Sequence, residues 1–445
     1  MNLIGESALS LRESLAAGEI TAEALVQACL ARIAEVDGEI GAWAHLEPEH
    51  ALGQARALDA LRAGGLPLGP LHGLPVAVKD IVDTADLPTE NGSALLRGRR
   101  PETDATLVSL LRQAGAVVLG KSVTTEFAMY APGKTANPHH LKHTPGGSSS
   151  GSAAAVAAGM APLAIASQTN GSVIRPASFC GVVGFKPSHG RISRHGVLTL
   201  SRPLDTMGVM ATTVEDAALL AEVLMAYDSS DRDMRPLPAP GLLDVAREAP
   251  PLPPRFAFVK TPVWEQAEDD MTAALSELAD HLGADCERVD LPALYDRALP
   301  SHRSIMCADL AKNLQPYYER GREGISPQLA ALIEEGRSVT AIDYNRALEW
   351  REVLYDGLAE IFENFDAILT APAPGEAPSG LEATGNPAFC TMWTFLGTPA
   401  VSLPVFTGSS GLPMGVQLVG PRSEDARLLR SASALLALLR DGGTA

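Results

Sequence analysis

The chain has 445 residues, 46% of them apolar and only 5% aromatic, enough to bury a large core as one α/β unit or two domains. A formal net charge of −18, with no Lys/Arg block, argues against a nucleic-acid partner, because phosphate backbones are held by basic stripes. Five scattered cysteines without CxxC spacing (Cys29, Cys180, Cys286, Cys307 and Cys390) fit buried thiols in a reducing compartment. No signal peptide or bilayer-length apolar run is visible, so a cytoplasmic protein with no membrane association is expected.

In chain order, Thr21 is placed to cap a helix over residues 22–36, whose Leu25, Cys29 and Ile33 form one stripe. A second helix is expected over 51–63. Strand and helix then alternate: a strand at Pro75–Lys79, a helix over 105–114 closed by Gly115, and a strand at 116–119. Residues 152–158 form a helix with a flat alanine face, and 162–166 and 181–185 read as core strands. The Pro- and Asp-rich stretch 229–254 is the best linker candidate. A strand–helix–strand unit follows at Phe256–Val259, 269–281 and 285–289, then a mainly helical stretch at 305–362. Strands at 366–370, 400–404 and 415–419 and a closing helix over 425–439 end the chain. The alternation predicts an α/β fold with a largely parallel or mixed sheet, to which the C-terminal segment returns.

Two serine-bearing glycine turns stand out, Gly146-Gly147-Ser148 and Asn170-Gly171-Ser172, since backbone without a Cβ can approach a substrate closely. Upstream, Lys79 ends the apolar run Leu74-Pro75-Val76-Ala77-Val78. A buried lysine is costly unless it is neutral or hydrogen-bonded. A neutral amine can serve as the base that a serine nucleophile requires. Ser172 is the candidate nucleophile and Ser148 the candidate relay to Lys79. Successive N–H groups of the 169–172 turn can converge on a developing oxyanion.

The blocks PGGSSSGSAAAVAAG (145–159) and SQTNGSVIRPASFCGVVGFKPS (167–188) closely resemble the amidase signature family. So do GLPVAVKD (73–80), the segment 114–122 and GLPMGVQLVG (411–420), so that the resemblance runs over about residues 71–430. It implies a large mixed β-sheet covered by helices on both faces and a Ser-cisSer-Lys triad of Lys79, Ser148 and Ser172. Ser148 would follow a cis peptide, and the backbone of Thr169, Asn170, Gly171 and Ser172 would form the oxyanion hole. Two departures are visible: Gln168-Thr169-Asn170-Gly171-Ser172 replaces the usual Asp-x-Gly-Gly-Ser, and the arginine moves one place, to Arg175. The second is similar to a malonamidase-like branch, in which that arginine faces a substrate carboxylate; a structural arginine capping carbonyls is the alternative.

Competing motifs carry less weight. Gly115 to Ser122 matches a phosphate-loop pattern, but its interior is apolar and β-prone. Gly147-Ser148-Ser149-Ser150-Gly151 matches GxSxG around Ser149 without the strand that such an elbow needs. His139, His140 and His143 lie between Pro138 and Pro145 and read as loop residues, so no metal is expected. Lys121 is the rival lysine.

The expectation is a single domain over 1–445: N-terminal helices in 1–65, a signature core in 66–228, an excursion in 229–330, and 331–445 rejoining the core sheet. Its activity would be cofactor-free hydrolysis of a small carboxamide, such as an acidic amide like malonamate, through a seryl acyl-enzyme. An amidotransferase A subunit supplying ammonia to a misacylated tRNA and a catalytically silent binding protein are the alternatives. The small-molecule amide is the expected partner, and a homodimer is left open.

Overall fold

Short β-prone runs broken by Gly and Pro assemble into one mixed sheet in the computed structural model, which describes residues 3–238 and 240–441. The strands are β1 (Trp43–Leu46), β2 (Pro75–Lys79), β3 (Val117–Ser122), β4 (Leu163–Gln168), β5 (Val183–Lys186), β6 (Thr206–Ala211), β7 (Phe256–Val259), β8 (Cys286–Val289), β9 (Ala367–Thr370), β10 (Ala400–Thr407) and β11 (Pro413–Val419). Their order across the sheet is β1-β3-β2-β4-β6-β5-β10-β11-β9-β7-β8. From β2 to β7 nearly every residue is buried except the outer halves of β10 and the start of β11, so both faces are covered; this is why these runs are continuously apolar and do not alternate.

β2 pairs in parallel with both β3 and β4. Their C-terminal ends, carrying Lys79, Ser122 and Gln168, therefore open on the same side of the sheet, where α/β proteins build their sites. β10 and β11 are antiparallel and stand between β5 and β9, so these late strands are part of the same sheet as the early ones. β7 and β8 run parallel beside β9 and extend the same sheet at its edge.

Two helices bring the glycine turns to this rim. Ser150–Ala157 is buried along all but its last residue, and Gly151 lets its first turn press on a neighbouring segment: a Cβ there would stand 2.2 Å from Ala42 O and 2.3 Å from Val123 N. Ile174–Cys180 lies on Gly184 of β5, where a Cβ would meet that of Ala177 at 2.4 Å, and ends at Gly181 in the left-handed region (φ 67°).

The structure corrects several expectations. Residues 229–254 are not merely a linker: they contain the helix Leu242–Arg247, whose buried Leu242, Leu243 and Ala246 pack toward the helices Val214–Leu224 and Asp425–Asp441. The expected 22–36 helix runs on to Ile40, because Gly41 (φ 67°) is the residue that stops it. β1, β6 and the short helix Ile174–Cys180 had no counterpart in the reading of the sequence. Residues 115–122 end as strand β3, so the phosphate-loop pattern is a chance match.

Candidate active site

Lys79 is fully buried, at the rim where the turn before the helix Ser150–Ala157 meets the end of β4. Its Nζ lies 2.7 Å from Ser148 Oγ, 2.9 Å from Ser149 Oγ and 2.8 Å from Ser167 Oγ. Burial pushes the amine well below its ordinary pKa, and the charge of Asp205 acts in the opposite sense. A neutral amine has two hydrogens to donate and one lone pair. Ser149 Oγ donates to Ser167 O at 3.3 Å, so Ser149 is a natural acceptor for Nζ. That leaves the lone pair of Nζ free to take a proton from Ser148. The peptide Gly147–Ser148 is cis.

Ser172 stands across the same rim, 8% exposed. Its hydroxyl makes no hydrogen bond to any described residue, so the structure joins Ser148 to Lys79 but does not close a Ser148–Ser172 contact. Catalytic contacts are often long before substrate binds. The two serines nonetheless belong to adjoining segments: Arg175 donates to Gly147 O at 2.6 Å, and Gly146 packs on Pro176 closely enough that a Cβ would stand 2.8 Å from Pro176 Cα.

The turn before Ser172 is held from outside. Gln168 Oε1 accepts from the N–H groups of Val173 (2.7 Å) and Ile174 (3.0 Å), and Gln168 Nε2 donates to Thr394 Oγ1 at 2.9 Å. Asn170 donates to Tyr130 OH at 3.1 Å and accepts from Thr391 Oγ1 at 2.6 Å. Thr169 donates its hydroxyl to Asp205 at 2.7 Å, and its carbonyl lies 2.9 Å from His302 Nε2. These contacts leave the N–H groups of Asn170, Gly171 and Ser172 without an acceptor among the described residues. Backbone donors without an acceptor are the kind of group that can stabilise an oxyanion. The departures at Gln168 and Asn170 are thus absorbed as neutral hydrogen-bonding side chains.

Arg175 does not present a free two-bond fork. It is 2% exposed and donates from its terminal nitrogens to Gly147 O, Gly385 O and Thr384 Oγ1, bonds of the capping kind weighed above. Its Nε is buried with no partner, and burial lowers its pKa to about 10. Arg175 and Ser172 share the walls of one narrow recess with Tyr130, Met306 and Pro387. A larger cavity of about 360 Å³ lies beyond Ser167 and Thr169, walled by Arg194, His195 and Asp205.

The remaining candidates fall away from the chemistry. Lys121 is pinned to Val82 O (2.7 Å) and Thr89 Oγ1 (2.6 Å), and burial lowers its pKa to about 8. His139 and His143 hydrogen-bond to Cys180 O and Ala377 O, and no metal-holding cluster occurs among the described residues. The reading of the sequence missed Ser167 and Asp205. Neither carries a local signal, because a serine inside β4 and an aspartate before β6 become partners of Lys79 and Thr169 only through sheet pairing.

A family profile described as Amidase matches residues 24–429. In Salinispora arenicola, the A subunit of glutamyl-tRNA(Gln) amidotransferase is 37% identical over 98% of this chain and 97% of its own length. Its counterpart from Chloroflexus aggregans is 36% identical over 95% and 94%. Among solved structures, the peptide amidase of Stenotrophomonas maltophilia superposes with a TM-score of 0.83 at 29% identity, covering 98% of this chain and 97% of that one. The 6-aminohexanoate cyclic dimer hydrolase gives 0.86 at 27%, with the same coverage. A chain from a vestigial protein complex tied to the origins of an s-triazine catabolic enzyme gives 0.91 at 29%, covering 99% of both.

Proposed function

The chain belongs to the amidase family, and from that premise we propose that it hydrolyses a small carboxamide through an ester on Ser172. Ser172 Oγ attacks the carbonyl carbon and passes its proton to Ser148, whose own proton moves to the neutral Nζ of Lys79. The oxygen that becomes negative is received by the N–H groups of the 169–172 turn. The C–N bond then breaks as the leaving amine takes a proton back through Ser148. Water attacks the ester along the same path, releases the carboxylate and restores Ser172. The observation that supports this most is the fully buried amine held by three hydroxyls beside a turn with free donors. No step calls on a cofactor.

The place of Arg175 in the lining of the recess, with an Nε that has no hydrogen-bond partner, favours an amide that carries a carboxylate of its own, as in the malonamidase-like reading. The test is ammonia release from a panel of simple amides, with and without a second carboxylate. Wild-type protein should turn over at least one of them and be labelled by a fluorophosphonate. Ser172→Ala should lose about 10³-fold or more in turnover, together with the label. Labelling that persists in Ser172→Ala would place the nucleophile elsewhere.

A second reading, as the ammonia-releasing component of an amidotransferase, is favoured by the near full-length match to such proteins. It predicts co-purification with partner subunits and ammonia release from glutamine that requires them.

A further inference from the structure

Away from the Lys79 cluster, a cavity of about 490 Å³ opens where residues 188–191, 233–237, the helix Ala341–Asp356 and the loop 422–423 come together. Four arginines line it, Arg191, Arg235, Arg351 and Arg422, against two acids, Asp233 and Glu352. That is an unusual concentration of positive charge in a chain whose net charge is −18.

The acids are already committed. Asp233 pairs with Arg194 (2.5 Å) and with Arg202 (2.7 Å), and Glu352 takes both terminal nitrogens of Arg422 at 2.6 and 3.2 Å. Asp425, behind Arg191, accepts from Ser188 N and Oγ at 2.7 and 2.8 Å. The Arg191 side chain donates no hydrogen bond to any described residue, its backbone N–H going to Ser188 O, and its Nε is buried. Arg351 donates one terminal nitrogen to Pro203 O at 2.8 Å, while its buried Nε has no hydrogen-bond partner and stands 4.0 Å from Glu352. Arg235 is exposed at the mouth and makes no side-chain hydrogen bond among the described residues. Burial and the neighbouring Arg422 together lower the pKa of Arg351 to about 10, the electrostatic signature of a cation short of counter-charge.

We propose that this cavity is a binding site for a phosphate-type oxyanion, free or carried by a small metabolite, held by Arg191, Arg351 and Arg235. Three guanidiniums arriving from separate segments suit a tetrahedral dianion better than a planar carboxylate, which one arginine fork can satisfy alone. The site shares no residue with the Ser172 recess, so it stands or falls independently of the reaction assigned above.

The test uses the full chain in chloride buffer at constant ionic strength, with inorganic phosphate, glycerol phosphate and malonate as separate probes. Phosphate should raise the melting temperature above the chloride control and show saturable binding by calorimetry. Arg191→Gln should weaken it about tenfold or more, the loss of one charge-assisted contact. Arg235→Gln removes a charge at the mouth where no side-chain hydrogen bond is at stake, and should weaken binding in the same direction with no change in the melting temperature without phosphate. Tighter binding of glycerol phosphate than of phosphate would identify a metabolite-borne group; equal binding would identify the free ion. The proposal is overturned if phosphate gives no shift beyond chloride, if malonate binds as well as phosphate, or if neither arginine variant changes the affinity.

Discussion

Asp205 is the residue whose effect on the site is least visible from its position in the chain. Its carboxylate accepts from Thr169 Oγ1 and from the N–H groups of Leu200 and Ser201, so it braces the turn that carries Ser172. Its charge also acts on Lys79 against burial, and its own pKa is pushed up to about 6, mainly by burial. The sign of its influence follows. Lys79 acts as a base only when neutral, so activity rises as pH climbs through the folded pKa of Lys79. The Asp205 charge raises that pKa; Asp205→Asn removes the charge and keeps one oxygen, which can still accept from the N–H groups of Leu200 and Ser201, while its NH2 replaces the oxygen facing Thr169 Oγ1. The acid limb of kcat/KM should therefore move to lower pH in the variant. A limb that stays in place, or moves up, would show that Asp205 acts on the turn alone. Arg175 calls for a different comparison, because it holds Gly147 as well as facing the recess. Arg175→Gln should slow all substrates through the Gly147 contact, and should in addition raise KM about tenfold for carboxylate-bearing amides. Equal effects on acidic and neutral amides would leave Arg175 a purely positioning residue. These roles were only partly legible in the sequence. Lys79 and the two glycine turns announce themselves by composition, whereas Ser167 and Asp205 are ordinary residues made functional by strand pairing.

At the scale of elements, the site depends on how closely the helix Ser150–Ala157 can approach its neighbours. Its alanine face was readable, since small residues in a helical run permit tight packing. The reason for Gly151 was not, because the atoms that forbid a side chain belong to Ala42 and Val123, more than twenty residues away in the chain. In isolation Gly151→Ala would favour the helix by about 1 kcal/mol. Here the added methyl would meet backbone at 2.2 and 2.3 Å, and backbone yields less readily than a side-chain tip. Overpacking of this kind costs about 1–3 kcal/mol, so the net effect is destabilising. The substitution should lower the melting temperature and, by shifting the first turn, weaken the contacts of Ser148 and Ser149 with Lys79. A variant as stable as the parent would mean that the helix can slide without cost. Strand and helix identities were legible wherever an apolar run had a clear stop, as at Lys79 or Gly115. They were not legible at β1 or β6, where the run is brief or mixed and pairing with β3 or β4 decides the outcome.

At the scale of the whole molecule, one sheet passes through segments that the sequence separates widely. β10 and β11, near residue 400, stand between β5 near 185 and β9 near 368, and β7 and β8 are attached only beyond β9. The Pro-rich stretch before β7 looks like a domain boundary in composition, but composition reports local chain stiffness, not which strands share hydrogen bonds. The edge is also tied laterally. Asp366, at the entrance to β9, accepts from Arg255 N at 2.9 Å, just before β7, and pairs with Arg427 of the closing helix at 2.9 Å. The helix Leu242–Arg247 buries its apolar side between Val214–Leu224 and Asp425–Asp441, joining the supposed linker to both ends of the core. A structure connected in this way should lose its edge and its centre together. Differential scanning calorimetry should therefore give one transition, with the loss of near-ultraviolet ellipticity and of amidase activity coinciding with it. Asp366→Ala should lower that transition without splitting it, since β7 remains paired with β9 through the backbone. Two resolved transitions in the parent protein, the earlier one leaving activity intact, would mean that residues 229–370 unfold as a separate body and that continuity of the sheet does not enforce cooperativity.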